Sequence, residues 1–174
     1  MNLKMNLKMK VFAFLTLLFP LISNAAQAEY LKIYMMQPKD TILQKLDGVD
    51  DMDRYVKEIE VNINKKLSEI KTNSNAWGFL VIAVRDDGKI KAWLDSDDAV
   101  SQEISNAMTT VAESTKGFAV KTGAVVFALG FGVDGAALPV DKMPFPNDWK
   151  KLANCSNEDC QEKDAEVIVL KYWQ

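Results

Sequence analysis

"WGFLVIAVRDDGKIKAWLD", Trp77 to Asp95, decides the fold. A mostly apolar run from Trp77 to Val84 meets Asp86-Asp87-Gly88, and an alternating run follows from Lys89. Two β-prone runs around a short glycine-containing turn read as a hairpin. Two registers compete. A two-residue loop, Asp87-Gly88, pairs Arg85 with Ile90 and Ile82 with Trp93. A three-residue loop with Gly88 left-handed pairs Arg85 with Lys89, Val84 with Ile90, Ile82 with Ala92 and Leu80 with Leu94. A slip of one residue exchanges the faces of the second strand. The three-residue register is expected, because it gathers Leu80, Ile82, Val84, Ile90, Ala92 and Leu94 on a face free of charge. Its other face carries Trp77, Phe79, Val81, Arg85, Lys89, Lys91 and Trp93. The like charges of Arg85 and Lys89 then sit opposite each other, where solvent screens them.

The hairpin needs helices to cover it. Met52, Tyr55, Val56, Ile59, Ile63, Leu67 and Ile70 recur at steps of three and four, which predicts a helix over 52–71. Asp50, Asp51 and Asp53 suit its cap and its positive end. A second helix is predicted from about Asp97 to Glu113, with Val100, Ile104, Met108 and Val111 as its stripe and Ser96, Asp97 and Asp98 as candidate caps. Before the first helix, Leu31, Ile33 and Met35 alternate with Lys32 and Tyr34 in a candidate strand ended by Pro38. "QPKDTILQKLDG" reads as loop with a short helical turn. After the second helix, Ala124 to Val133 predicts a strand with one bulky face and one small one, the latter formed by Ala124, Val126, Ala128, Gly130 and Gly132. A small face lets something pack close to the backbone; a helix of the same chain and a ligand are both candidates. The segment from Asp134 to Cys155 is expected to be irregular, pinned by Leu138, Met143, Phe145 and Trp149. "AEVIVLKYW", from Ala165 to Trp173, is expected to close the chain as a strand.

Outside this core, the N-terminus reads as an export signal. Lys4, Lys8 and Lys10 precede the apolar run Val11–Ile22, and "SNAAQA" offers small residues for cleavage after Ala25 or Ala28. Residues 1–28 are therefore expected to be a signal peptide and residues 29–174 a single domain. An uncleaved anchor would need about 20 apolar residues. No cysteine stands in the cleavage region just after the run, so no lipoprotein acceptor is expected there. The chain of 174 residues carries a net charge of −3. Loss of the three leader lysines takes that to about −6, which disfavours nucleic acid and membrane surfaces as partners. The expected location is the periplasm or the medium.

The sequence contains no histidine. That removes the commonest zinc ligand and the Ser-His and Cys-His nucleophile systems. Cys155 and Cys160, the only cysteines, are expected to form a structural disulfide in an oxidising compartment. The carboxylates of "DGVDDMD" and "DSDD" could supply an acid–base pair, yet both precede predicted helices, where capping accounts for them. No phosphate loop, nucleophile motif or cofactor signature occurs.

"VIAVRDDGKIKAWLDS" followed by "VSQEISNAMTTV" resembles the C-terminal periplasmic domains of the TonB and TolA families. There too a strand–DG–strand hairpin precedes a helix bearing residues like Ile104, Ala107 and Met108. "MPFP", Met143 to Pro146, looks like the proline-rich segment that follows in some TolA-like members. The resemblance spans about residues 55–146. It implies a compact α+β domain, a small mostly antiparallel sheet of four or five strands on two helices, whose relatives bind other proteins. The chain departs from those energy transducers in having a cleavable-looking leader and no long spacer. The expected function is a non-catalytic protein-interaction module of the cell envelope. Its anchor cluster would be Trp77, Phe79, Arg85, Lys89, Lys91 and Trp93. The alternatives are an inhibitor or immunity protein against a toxin, and a structural subunit that offers an edge strand at Tyr30–Met36 or Val167–Tyr172.

Overall fold

A computed structural model describes residues 26–71, 75–97, 99–155, 160 and 164–173. The expected leader, apart from Ala26 to Ala28, and the candidate cap Asp98 lie outside the described residues.

The hairpin forms in the three-residue register. Strands β2 (Ala76–Arg85) and β3 (Ile90–Ser96) pair Val84 with Ile90, Ile82 with Ala92 and Leu80 with Leu94. Gly88 adopts φ +80°, and the Arg85 N–H donates to Lys89 O at 2.9 Å to close the turn. Only a residue without a Cβ takes that φ cheaply. With β1 (Ala28–Met35) and β4 (Ala124–Val133), the described strands make one antiparallel sheet ordered β1-β4-β2-β3. The fold is α+β with a four-stranded antiparallel sheet.

Helices cover both faces. On one, α2 (Asp50–Leu67) and α3 (Gln102–Ser114), with Ile42 and Leu46 from and just beyond α1 (Lys39–Lys45), pack on Leu80, Ile82, Val84, Val125, Phe127 and Leu129. The other is covered by α4 (Asn147–Ala153), α5 (Ala165–Tyr172) and the proline-rich segment, over Phe79, Val81, Ala83, Trp93, Val126 and Ala128. Enclosure on both sides explains why every residue of β4 is buried and why β2 reads as a nearly continuous apolar run.

Several boundaries differ from the sequence reading. The helix expected over 52–71 is α2, which begins at Asp50 without a side-chain cap; its aspartates lie in the first turn, where the helix dipole favours them. α3 starts five residues later than expected, because Ser101 accepts the Ile104 N–H and acts as the cap. Asp97 instead accepts from Ala99 N at 3.2 Å and Trp77 N at 3.3 Å, tying the end of β3 to the start of β2. The segment after β4 is not wholly irregular, since α4 lies within it. The largest correction concerns the chain end. Residues 165–172 form a helix, α5, not a strand. Asp164 caps it by accepting from Glu166 N and Val167 N, and Ala165, Ile168 and Val169 bury a face at helical spacing. The run Val167-Ile168-Val169 has strand propensity, but the hydrophobic face of β2 and β4 had to be covered, and tertiary packing overrides propensity.

Candidate functional site

The expected anchor cluster is taken up by the protein itself. Phe79 and Trp93 are 0 % and 5 % exposed. Trp93 meets Trp149 and Tyr172 edge to face, with ring centroids 5.4 Å away in each pair. Trp77 is half-buried beneath Lys142, whose Nζ lies 4.4 Å from its ring centroid. The cations of that cluster have partners as well. Arg85 bonds Asp87, with Nε to Oδ1 at 2.8 Å, and stacks over Trp173. Lys89 lies 3.4 Å from Asp87, and Lys91 lies 2.7 Å from Glu113. Burial alone would lower the pKa of Lys91, but the Glu113 hydrogen bond and charge leave it raised. This face is therefore the floor of a second core and not a free surface. Its neighbours were not legible from the hairpin, because α4 and α5 lie more than fifty residues downstream.

The small-residue face of β4 is likewise filled from within. A Cβ on Gly132 would lie 1.9 Å from Ala136 O, and one on Gly130 would lie 2.4 Å from Leu138 Cδ1. The acidic clusters are spent on local structure. Asp51 pairs with Arg54 at 2.7 Å, and Asp53 with Lys57 at 2.6 Å. Asp95 accepts the Phe145 N–H at 2.8 Å, and burial raises its pKa. Among the described residues, no group of three or more His, Cys, Asp or Glu could hold a metal ion.

The two outer strands of the sheet present opposite cases. In β3, the Arg85–Lys89 bond fixes the alternation, so Ile90, Ala92 and Leu94 direct their backbone groups outward. Glu113 of α3 accepts the Ala92 N–H at 3.1 Å while holding Lys91. A charged side chain on the edge is a common protection against further strands.

In β1, the Met36 N–H bonds Val126 O at 3.2 Å. Alternation then points Lys32 and Tyr34 toward β4 and leaves the N–H and C=O of Ile33 and Met35 facing away. Asn64 of α2 takes up the outward N–H of Ala28 at 3.0 Å. The ladder shifts between Tyr30 and Lys32, and beyond that bulge no described side chain takes up the edge. Leu31, Ile33 and Met35 are 43–48 % exposed along it. Beside them runs an apolar groove of about 290 Å³, walled by Ile33 and Met35 on one side and Ile42, Leu43, Val49, Met52 and Val56 on the other. Lys39 and Asp53 stand at its margins. The alternation of Leu31, Ile33 and Met35 marked the strand but not its exposure. The residue that turns inward is Tyr34, which packs edge to face on Phe79 at 5.3 Å.

Cys155 and Cys160 are joined, with Cα atoms 5.3 Å apart. The described residues include no helix long and apolar enough to cross a membrane. No family model, no curated protein and no solved structure matches the chain.

Proposed function

We propose that this chain is an exported, non-catalytic protein-interaction module that takes an extended segment of another envelope protein onto the open edge of β1. The observation that carries the reading is the coincidence, at Ile33 and Met35, of outward backbone groups with exposed apolar side chains beside an apolar groove. Strand addition uses both: main-chain bonds supply affinity, and alternate side chains fill pockets. A long apolar edge left open is otherwise an aggregation hazard that proteins guard against, as β3 is guarded here. An incoming strand would place its alternate apolar side chains against Met52 and Val56, and its other face over Lys32 and Tyr34.

Export is supported by the basic and apolar leader and by the disulfide, which persists in oxidising compartments. The periplasm is the compartment we favour. The TonB- and TolA-like order of hairpin and helix agrees with a protein-binding role, and with the core spent on its own helices the docking surface moves from the hairpin face to the sheet edge.

The test is capture of partners from envelope extract by the mature protein, with Ile33→Lys/Met35→Lys beside Lys89→Glu. The β1 double variant is expected to lose captured proteins while keeping a native melting profile, and the Lys89 variant to retain them. Equal capture by both rejects the β1 edge. A concentration-dependent mass in light scattering, abolished by the double variant, would assign the edge to self-assembly instead.

A further inference from the structure

The sequence offers two places for signal cleavage, and the structure separates them. We infer that the exported chain is cut between Ala25 and Ala26, so that the mature protein begins at Ala26. This inference rests on the export reading above.

Both sites satisfy the small-residue requirement: Ser23 and Ala25 flank Asn24, and Ala26 and Ala28 flank Gln27. Their consequences for the fold differ. Each of the three residues between the two sites makes a backbone bond to a different part of the molecule. The Ala26 N–H donates to Ile70 O at 3.0 Å, in the turn that follows α2. Gln27 O accepts the Asp134 N–H at 3.2 Å. The Ala28 N–H donates to Asn64 Oδ1 at 3.0 Å, and Ala28 pairs with Val133 in the ladder and is buried in the main core.

Cleavage after Ala28 removes all three bonds. Asp134, held left-handed at φ +52° ahead of Gly135, would lose the acceptor for its N–H. Asn64 would lose its donor, and the first rung of β1 on β4 would go. Ile70 O, at a buried residue, would lose its donor, and a buried backbone group without a partner is costly. Cleavage after Ala25 keeps every one of these contacts. It also turns the Ala26 amide into an ammonium that still donates to Ile70 O.

Intact-mass analysis of the protein recovered from the envelope of its own host gives the answer. A mass that starts at Ala26 is expected; a start at Glu29, or at any other residue, overturns the inference while leaving export standing. Full-length chain confined to the cytosol would overturn the export reading itself. As a second measurement, chains made to start at Ala26 and at Glu29 are compared by thermal melting. The Glu29 chain is expected to melt about 5–10 °C lower, from the loss of three backbone bonds. Equal midpoints contradict the structural argument. If the shorter chain does not fold, Asn64→Ala in the longer one removes a single acceptor, and an unchanged midpoint there contradicts it too.

Discussion

Glu166 shows how much one side chain can hold. Its Oε1 accepts from Lys45 Nζ and, at 3.0 Å, from Ala124 N; its Oε2 accepts from Gln37 Nε2 at 3.0 Å. Gln37 in turn bonds Ala124 O at 3.1 Å and Val126 N at 2.8 Å. The end of β1, α1, the start of β4 and α5 thus meet at one carboxylate, with Lys45 and Gln37 both buried. Removing Glu166 strands the buried Lys45 ammonium and the donors of Ala124 and Gln37, so Glu166→Ala is expected to cost about 2–3 kcal/mol in urea denaturation. Lys45→Met with Glu166→Gln should recover part of that loss, since no cation is left unpaired and the amide oxygen still accepts from Ala124 N. Asp95 gives a prediction with the opposite sense. Burial raises its pKa, and the Phe145 N–H, Lys142 and Lys150 only partly offset that. A raised acid binds its proton more tightly when folded, so its contribution to stability falls as pH rises from about 3.9 through the folded value. Asp95→Asn keeps an acceptor for Phe145 and carries no charge. The variant should therefore gain on the wild type as pH rises from 3 to 7 in melting experiments, with the two closest at the acid end. A constant difference across that range would contradict the account.

The elements were legible in the sequence to the degree that their own residues determined them. The β2–β3 register followed from one constraint, a charge-free face, and Gly88 supplied the turn it required. α2 was legible because its stripe of Met52, Tyr55, Val56, Ile59, Ile63 and Leu67 is long and amphipathic. α5 was not, because eight residues rich in Val, Ile and Leu carry both periodicities, and what decides between them is a sheet face built by β4 and β2, about 40 and about 90 residues upstream. A separation of more than fifty residues likewise hid the fate of Trp93 and Phe79: an aromatic face looks alike whether a partner or α4 covers it. The alternation of Leu31, Ile33 and Met35 makes β1 a candidate edge, but the groove beside it depends on how α1 and α2 approach the strand. If Asp164 sets α5 as a helix, Asp164→Ala should cost about 1 kcal/mol and raise amide exchange in residues 165–169 before other elements. Uniform exchange across the chain would count against a separate helical unit.

At the scale of the whole molecule, the outer face of the sheet is sealed by a segment joined to the rest at few points. Asp95 holds Phe145, Ala136 and Leu138 fill the small face of β4, and Trp149 plugs the space beside Trp93. The Cys155–Cys160 bond lies between α4 and α5, the two helices that complete this layer. It closes a short loop, so the chain-entropy account gives it about 2 kcal/mol. Its stabilisation falls on the layer over Trp93 and not on the α2–α3 side, where Tyr55 OH bonds Ala112 O at 2.7 Å and the core is continuous. Reduction with dithiothreitol is therefore expected to lower the melting midpoint by about 4–8 °C. It should also increase exchange in α4 and α5 more than in α2. Binding at the β1 edge lies across the sheet from that layer and should survive reduction at temperatures well below the new midpoint. If reduction abolished partner capture in a protein that remained folded, the docking surface would lie on the α4–α5 side and not on the β1 edge.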